Sequence, residues 1–369
     1  MNMRIPFYKP FIGKEETNAV VRVLRTGKLT RGEEPDNFEK EFSKYMRKKY
    51  AVAVNSGTSG LHLLVRALGW KKGDEIITTP FSYIASSNAI IYENATPVFV
   101  DIDPQTLNID CGRIEEKITS KTKGILLVHI LGLPVNRDAV MRIKEKYNLQ
   151  IIEDSCETIG KPSDKFPVAK IGEAAVFSFH ENKPLTTAGE GGMIVTDDPV
   201  IAKKCRSMRD QGRSAEKDWL NNVILGFNYR MTDAQAAFGR EQLKRMEMIL
   251  KRRAEIAEKY YLLFKDVDGI NAPQAQSGRN WLFYFVIFNN VGLRDASYKA
   301  LSSAGIESSF NYFPPIYNFP AYRKYKKDNC ANADLISGKL LALPTFHEIR
   351  DSQIEEVANV IKSVIGRNK

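Results

Sequence analysis

Between residues 50 and 196, short apolar runs alternate with amphipathic stretches. The runs fall at 50–54, 75–78, 97–100, 124–128, 150–153, 175–179 and 193–195, and within them the apolar character is largely continuous. Stretches of helical spacing lie between them at 60–68, 84–92, 113–118 and 137–147. Continuous apolar strands separated by helices predict a mostly parallel, seven-stranded sheet buried on both faces. In such sheets ligands sit beyond the carboxyl ends of the strands. Before this region, residues 5–32 read as an arm with one amphipathic helix over 15–25 that ends at Gly27, and a second helix follows over 35–45. After Gly226 a helical region over 232–264 is apolar on one face and basic on the other. Strands at 281–288 and 305–310 and helices at 295–303, 331–341 and 352–365 complete the pattern. The whole reads as an α/β chain of two domains: an arm and a large sheet domain over 1–250, then a smaller α+β domain over 251–369.

Composition narrows the function classes without changing this outline. A net charge of +10 favours anionic partners. The basic residues are dispersed, however, into short clusters at Lys71-Lys72, at Lys251-Arg252-Arg253 and over 324–327, with no nucleic-acid-binding motif beside them. Solvated faces and small phosphate-bearing substrates are therefore expected, rather than nucleic acid. Cys111, Cys156, Cys205 and Cys330 lie far apart with no CxxC pair, which argues against both a zinc site and a disulfide framework. The chain begins with charged, proline-bearing sequence, and its longest uncharged apolar run, 124–135, is too short to span a bilayer. A reduced, cytoplasmic protein with no membrane partner and no metal is expected.

Residues 175–196, AVFSFHENKPLTTAGEGGMIVT, place a single lysine, Lys183, in a polar turn between two apolar strands. A lysine there is costly unless its charge is partnered or its amine is neutral or chemically consumed. Schiff-base chemistry with a carbonyl, as in pyridoxal phosphate enzymes, wants that arrangement; an exposed hairpin tip would explain it equally well. Asn55-Ser-Gly-Thr-Ser-Gly60 follows the first core strand and opens a helix. Glycine permits close backbone approach there, and hydroxyls with helix amides suit a phosphate dianion, although ordinary capping uses the same residues. Glu153-Asp154-Ser-Cys-Glu157 follows another core strand. Its acids could bind Mg²⁺, cap the next element, or hold a pyridinium nitrogen, the role assigned to Asp154, with Glu157 in reach of the ring's phenolic oxygen. Tyr83 could stack on a cofactor ring or pack in the core. Ser178, just before the lysine, could reach a phosphate. Gly226-Phe-Asn-Tyr-Arg-Met231 supplies an amide and a guanidinium, and Thr26-Gly-Lys-Leu-Thr-Arg-Gly32 could form a site wall.

Taken in order, NSGTSGLHLL, EDSCETIG, FSFHENKPLTTAGEGG and GFNYRMTDAQAA resemble the DegT/DnrJ/EryC1/StrS family of sugar aminotransferases. That family has the aspartate-aminotransferase fold (pyridoxal phosphate fold type I), and the likeness runs from Ile5-Pro-Phe-Tyr-Lys-Pro10 to Leu343-Pro344. The resemblance implies pyridoxal 5'-phosphate as cofactor, with Lys183 as the Schiff-base lysine that also shuttles the proton. It implies Asp154 on the pyridine nitrogen, Glu157 on the ring hydroxyl, and Tyr83 on the ring face. Gly57, Thr58, Ser59 and Ser178 would hold the phosphate, and Asn228 would reach it from the other subunit of a homodimer with shared active sites. The implied reaction moves an amino group from an amino acid, glutamate, to a nucleotide-activated keto sugar, a 4-keto-6-deoxyhexose by family frequency. Lys28, Arg31 and Arg230 are candidate substrate contacts. Tyr317 stands where many members have His, and Lys28 where many have an aromatic residue, both near the sugar end of the site. The segment between Lys183 and Glu190 carries one residue more than the usual spacing, at Ala188-Gly189. Resembling sugar dehydratases have His in place of the lysine, and a non-catalytic relative would keep only the fold. With Lys183, Asp154 and the phosphate loop all present, an enzyme is expected.

Overall fold

The computed structural model describes residues 4–214, 221–274, 278–310, 314–326 and 329–367. Lys327, in the last of the basic clusters, lies outside them. All seven expected strands form: β1 (Tyr50–Val54), β2 (Glu75–Thr78), β3 (Thr96–Phe99), β4 (Thr122–Val128), β5 (Gln150–Asp154), β6 (Ala174–Ser178) and β7 (Gly192–Thr196). They make one sheet in the order β1-β7-β6-β5-β4-β2-β3. Only β7 runs antiparallel to its neighbours, pairing Val54 of β1 and Ser178 of β6 with Gly192. The continuous apolar runs have a direct cause. Successive side chains point to opposite faces, and both faces are covered: Leu126 and Val128 of β4 enter one core while Ile125 and Leu127 enter another.

The helices are α1 (Lys14–Thr26), α2 (Glu33–Tyr45), α3 (Gly57–Ala67), α4 (Ala85–Tyr92), α5 (Arg137–Tyr147), α6 (Pro199–Arg209), α7 (Asp233–Lys244), α8 (Met246–Phe264), α9 (Val291–Ser303), α10 (Ala331–Lys339) and α11 (Asp351–Arg367). A second sheet joins β8 (Ile270–Asn271), β9 (Tyr284–Phe288) and β10 (Leu340–Leu343) in the antiparallel order β10-β9-β8. Helix α8 runs straight through residue 250, and its Ile256, Tyr260 and Phe264 share one apolar core with Val52 and Val176 of the large sheet and Val286 of the small one.

Several elements depart from the sequence reading. The region expected as one helix over 232–264 is two, α7 and α8, meeting at Arg245. Residues 113–118 form 3₁₀ turns at Cys111–Arg113 and Glu115–Lys117 instead of a helix. Residues 305–310 make only isolated bridges, Ile306 to Ile5 and Ser309 to Ala342. The last strand is instead β10, cut from the end of the expected 331–341 helix, because Leu340 to Leu343 pair with β9 and are fully buried. Helix α6 was not expected, although it carries strong start signals. Asp198 caps it by accepting the Val200 and Ile201 N–H groups, and Pro199 occupies its first turn. No helix among the described residues is long and apolar enough to cross a membrane.

Candidate active site

A cavity of about 520 Å³ opens at the carboxyl ends of β1, β4, β5 and β6. Its walls come from segments far apart in sequence: Asn55 to Thr58 after β1, Ser82 to Ser86 leading into α4, Asp154 to Glu157 after β5, and Ser178 to Lys183 after β6.

The two acids that end β5, Glu153 and Asp154, are sorted by strand alternation. Glu153 turns away from the cavity. Its carboxylate is fully buried and accepts the N–H groups of Ala169 at 2.8 Å, Ile171 at 2.8 Å and Gly172 at 2.7 Å, together with His129 Nε2 at 2.9 Å. Burial alone would raise its pKa, but the His129 bond and these amides overcome burial and hold the group below its ordinary value. Asp154 points into the cavity, where Ser86 Oγ donates to its Oδ2 at 2.7 Å and the Cys156 N–H donates to Oδ1 at 3.1 Å. Among the described residues no group of three or more His, Cys, Asp or Glu side chains is placed to hold a metal ion.

Helix α3 starts at Gly57, and the Ser56 hydroxyl caps it by accepting the Ser59 N–H. A Cβ added at Gly57 would fall 2.8 Å from Cys156 Sγ and 3.0 Å from Ser178 Cβ. One at Gly192 would fall 2.7 Å from the Ser56 carbonyl carbon and 2.9 Å from the Gly57 nitrogen. Gly57 is kept small by the Cys156 and Ser178 side chains, and Gly192 by the backbone of the first turn of α3, which lies against β7 there. The result is a cradle of main-chain amides, the Thr58 side chain and the Ser178 hydroxyl, suited to a phosphate dianion.

Lys183 also lines the cavity, on a turn closed by its own N–H to the His180 carbonyl at 2.9 Å. The extra residue downstream is absorbed in that turn. Ala188 (φ 58°) and Gly189 (φ 115°) both take left-handed conformations, and the Gly189 carbonyl accepts the Glu181 N–H. The β6–β7 register is left intact, with Phe177 opposite Met193.

These groups fit pyridoxal phosphate: an amine to carry it, a hydrogen-bonded carboxylate for the ring nitrogen, and a cradle with no room for a side chain where a phosphate would lie. Tyr83 stands at the mouth, 61% exposed, with its ring available to stack. The Cys156 thiol beside them is no competing nucleophile, because burial, followed by the Asp154 charge, pushes its pKa well above the ordinary value.

Gly57, Thr58, Tyr83, Asp154, Glu157, Ser178 and Lys183 are thus brought to one cavity, and the other expected residues are not. The Ser59 hydroxyl is engaged with Asn55 Oδ1 and Ser56 Oγ, and its N–H donates to Ser56 Oγ. Tyr317 lies elsewhere. It is 1% exposed, packed edge-on to Phe99 with the Lys326 ammonium 4.5 Å from its ring centroid, and it does not line the cavity. Arg31 and Arg230 border a separate cavity of about 180 Å³, where Asp210 pairs with Arg31 at 2.8 Å, Arg213 at 2.8 Å and Arg230 at 2.7 Å. Lys28 and Asn228 are exposed and line neither cavity, although Asn228 is bridged to Asp210. Sequence reasoning missed Ser86, His180 and Glu190 on the cavity wall. Glu190 sat in a quoted motif and could have been found; Ser86 carried no local signal.

Comparison with known proteins identifies the family. The sequence pattern of the DegT/DnrJ/EryC1/StrS aminotransferase family matches residues 10–362. The chain is 37% identical over 334 residues to GDP-perosamine synthase of Caulobacter vibrioides, covering 89% of each protein. Among solved structures it resembles PseC of Helicobacter pylori, an aminotransferase involved in the biosynthesis of pseudoaminic acid, with a TM-score of 0.93 at 28% identity over 98% of this chain and 99% of that one. It also resembles the PLP form of the putative sugar aminotransferase Spr1654 of Streptococcus pneumoniae, with a TM-score of 0.91 at 27% identity over 98% and 99% of the two chains.

Proposed function

We propose what this chain does from a fixed premise: it belongs to the DegT/DnrJ/EryC1/StrS aminotransferase family and is a pyridoxal-phosphate-dependent sugar aminotransferase. The reaction proposed is transfer of an amino group from glutamate to the ketone of a nucleotide-activated sugar, a 4-keto-6-deoxyhexose. The observation that carries it is the meeting of Lys183, Asp154 and the Gly57–Ser178 cradle in one cavity. The likeness to GDP-perosamine synthase supports a nucleotide sugar as acceptor.

When bound, the cofactor supplies an electron-withdrawing ring that stabilises negative charge on the carbon bearing the nitrogen. Lys183 would tether it through Nζ and, once displaced by the donor's amine, would move the proton at that carbon as a general base and acid. Asp154 would keep the ring nitrogen protonated, held in place by Ser86 and the Cys156 N–H. The Gly57 and Thr58 amides and the Ser178 hydroxyl would anchor the phosphate, and Tyr83 would cover the ring face. Two units, 1–250 and 251–369, would flank this site.

A second copy of the chain completes the reading. Asn228, with nothing to bind on its own subunit's cavity, would reach the partner's phosphate, and Arg31, Lys28 and Arg230 would face the partner's substrate. Val223, Ile224 and Leu225 support this: three successive apolar residues, 56%, 40% and 71% exposed, lie just before Asn228 and need a covering surface.

The test is visible absorption of the purified chain with pyridoxal phosphate, before and after glutamate, followed by a keto-sugar nucleotide. A band that bleaches with glutamate and returns with the keto sugar is expected. A band unchanged by glutamate would remove the proposed donor, and no amino-sugar product would overturn the acceptor.

A further inference from the structure

Glu157 is a buried acid facing a site built to hold anions. The residue is 5% exposed, its Oε2 accepts the Leu131 N–H at 2.9 Å, and it lines the same cavity as Asp154 and Lys183. The cofactor's two remaining polar edges flank the carbon that Lys183 reaches: the phosphate arm on one side and the phenolic oxygen on the other. The phosphate edge belongs to the Gly57–Ser178 cradle, and a dianion would not be placed against a buried carboxyl. That leaves the phenolic oxygen, the edge on which the family resemblance puts Glu157. A carboxylate and a phenolate are both acceptors, so a hydrogen bond between them requires a proton on one of the two.

We propose, resting on the cofactor assignment made above, that Glu157 binds the phenolic oxygen as a neutral acid, donating its own proton, so that the site takes up the cofactor only with Glu157 protonated. The surroundings favour the neutral form. Burial pushes the carboxyl up to about 7; the Lys183 ammonium and the Leu131 N–H pull it down, and Asp154 adds to the rise. The other polar neighbours do not reverse this. Cys156, next in the chain but one to Asp154, carries a neutral thiol. The turn at 130–132 offers only main-chain groups, and Arg279 behind it donates to the Leu131 carbonyl at 2.9 Å. The His129 ring is turned to Glu153 and the Val135 N–H. An ionised Glu157 would face Asp154 and the phenolate together; a protonated one satisfies the phenolate and faces a single charge.

The experiment is the dissociation constant of pyridoxal phosphate, from its visible absorption on the full chain, between about pH 6 and about pH 9 for the wild type and Glu157→Gln. The amide offers the same donor at every pH and keeps an oxygen for the Leu131 N–H. The ratio of wild-type to variant constants should rise about tenfold per pH unit above about 7. A ratio constant with pH would overturn the proposal. Should the variant not fold, the wild type alone decides through calorimetry in two buffers of different ionisation enthalpy. Uptake of most of a proton per cofactor bound at about pH 7.5 supports the proposal, and uptake near zero overturns it. No binding by the wild type at any pH would overturn the cofactor assignment and the proposal with it, an outcome distinct from binding with a flat ratio.

Discussion

Glu153 and Asp154 are adjacent acids with opposite tasks, and substituting each by its amide should separate the two. In Glu153→Gln one carboxylate oxygen becomes an NH₂ group. Either orientation sets it against two donors: Ile171 and Gly172 on the Oε1 side, or Ala169 and His129 on the Oε2 side. His129 cannot relieve the conflict by changing tautomer, because its Nδ1 already accepts the Val135 N–H at 3.1 Å. Two buried donors lose their acceptor at about 1–3 kcal/mol each, so the expected loss is about 2–6 kcal/mol. Urea unfolding followed by far-UV circular dichroism measures it. Asp154→Asn keeps the side chain's shape and a hydrogen-bonding oxygen, and should change stability by less than about 1 kcal/mol while cutting turnover on the order of a hundredfold, through loss of the charge that holds the ring nitrogen protonated. A Glu153→Gln protein within about 0.5 kcal/mol of wild type would refute the reasoning, as would a greater loss of turnover in Glu153→Gln than in Asp154→Asn.

The two buried glutamates should also bend the pH–stability curve in opposite directions. Glu153, held low, contributes stability that is present above its unfolded pKa and is lost as acid protonates it. Glu157, raised from 4.5 to about 7, costs stability as pH rises through that window. At about 1.36 kcal/mol per unit, cofactor-free Glu157→Gln should exceed wild type by about 3 kcal/mol near pH 8 and by little near pH 5; equal stabilities at both pH values would show that Glu157 is not buried as described. Lys183→Ala should abolish glutamate-dependent transamination with an unchanged circular dichroism spectrum, and any retained turnover would remove Lys183 from its role. Ala188→Gly should stabilise the chain by roughly 0.5–1 kcal/mol, since the exposed Ala188 has φ 58°. A melting temperature lower than wild type would show that the turn is not strained.

What the sequence determined by itself was local. Apolar runs bounded by polar turns placed the seven large-sheet strands within a residue or two, because continuous burial on both faces leaves a mark on every residue of a strand. Lys183, Asp154 and the Gly57 turn stood out as candidates for a related reason: each lies at or shortly after the carboxyl end of a core strand. Elements held by partners rather than by periodicity were misread. Leu340 to Leu343 has the composition of a helix end and becomes a strand only because β9 lies beside it. Arg245 breaks the long helix where nothing in its spacing calls for a break. The tertiary structure alone decided which acid after β5 faces the cavity, that Ser86 comes from another element to hold Asp154, and that Tyr317 spends its ring on Phe99. Those outcomes depend on strand register and on what packs across the sheet, and a residue carries no record of either in its neighbours along the chain.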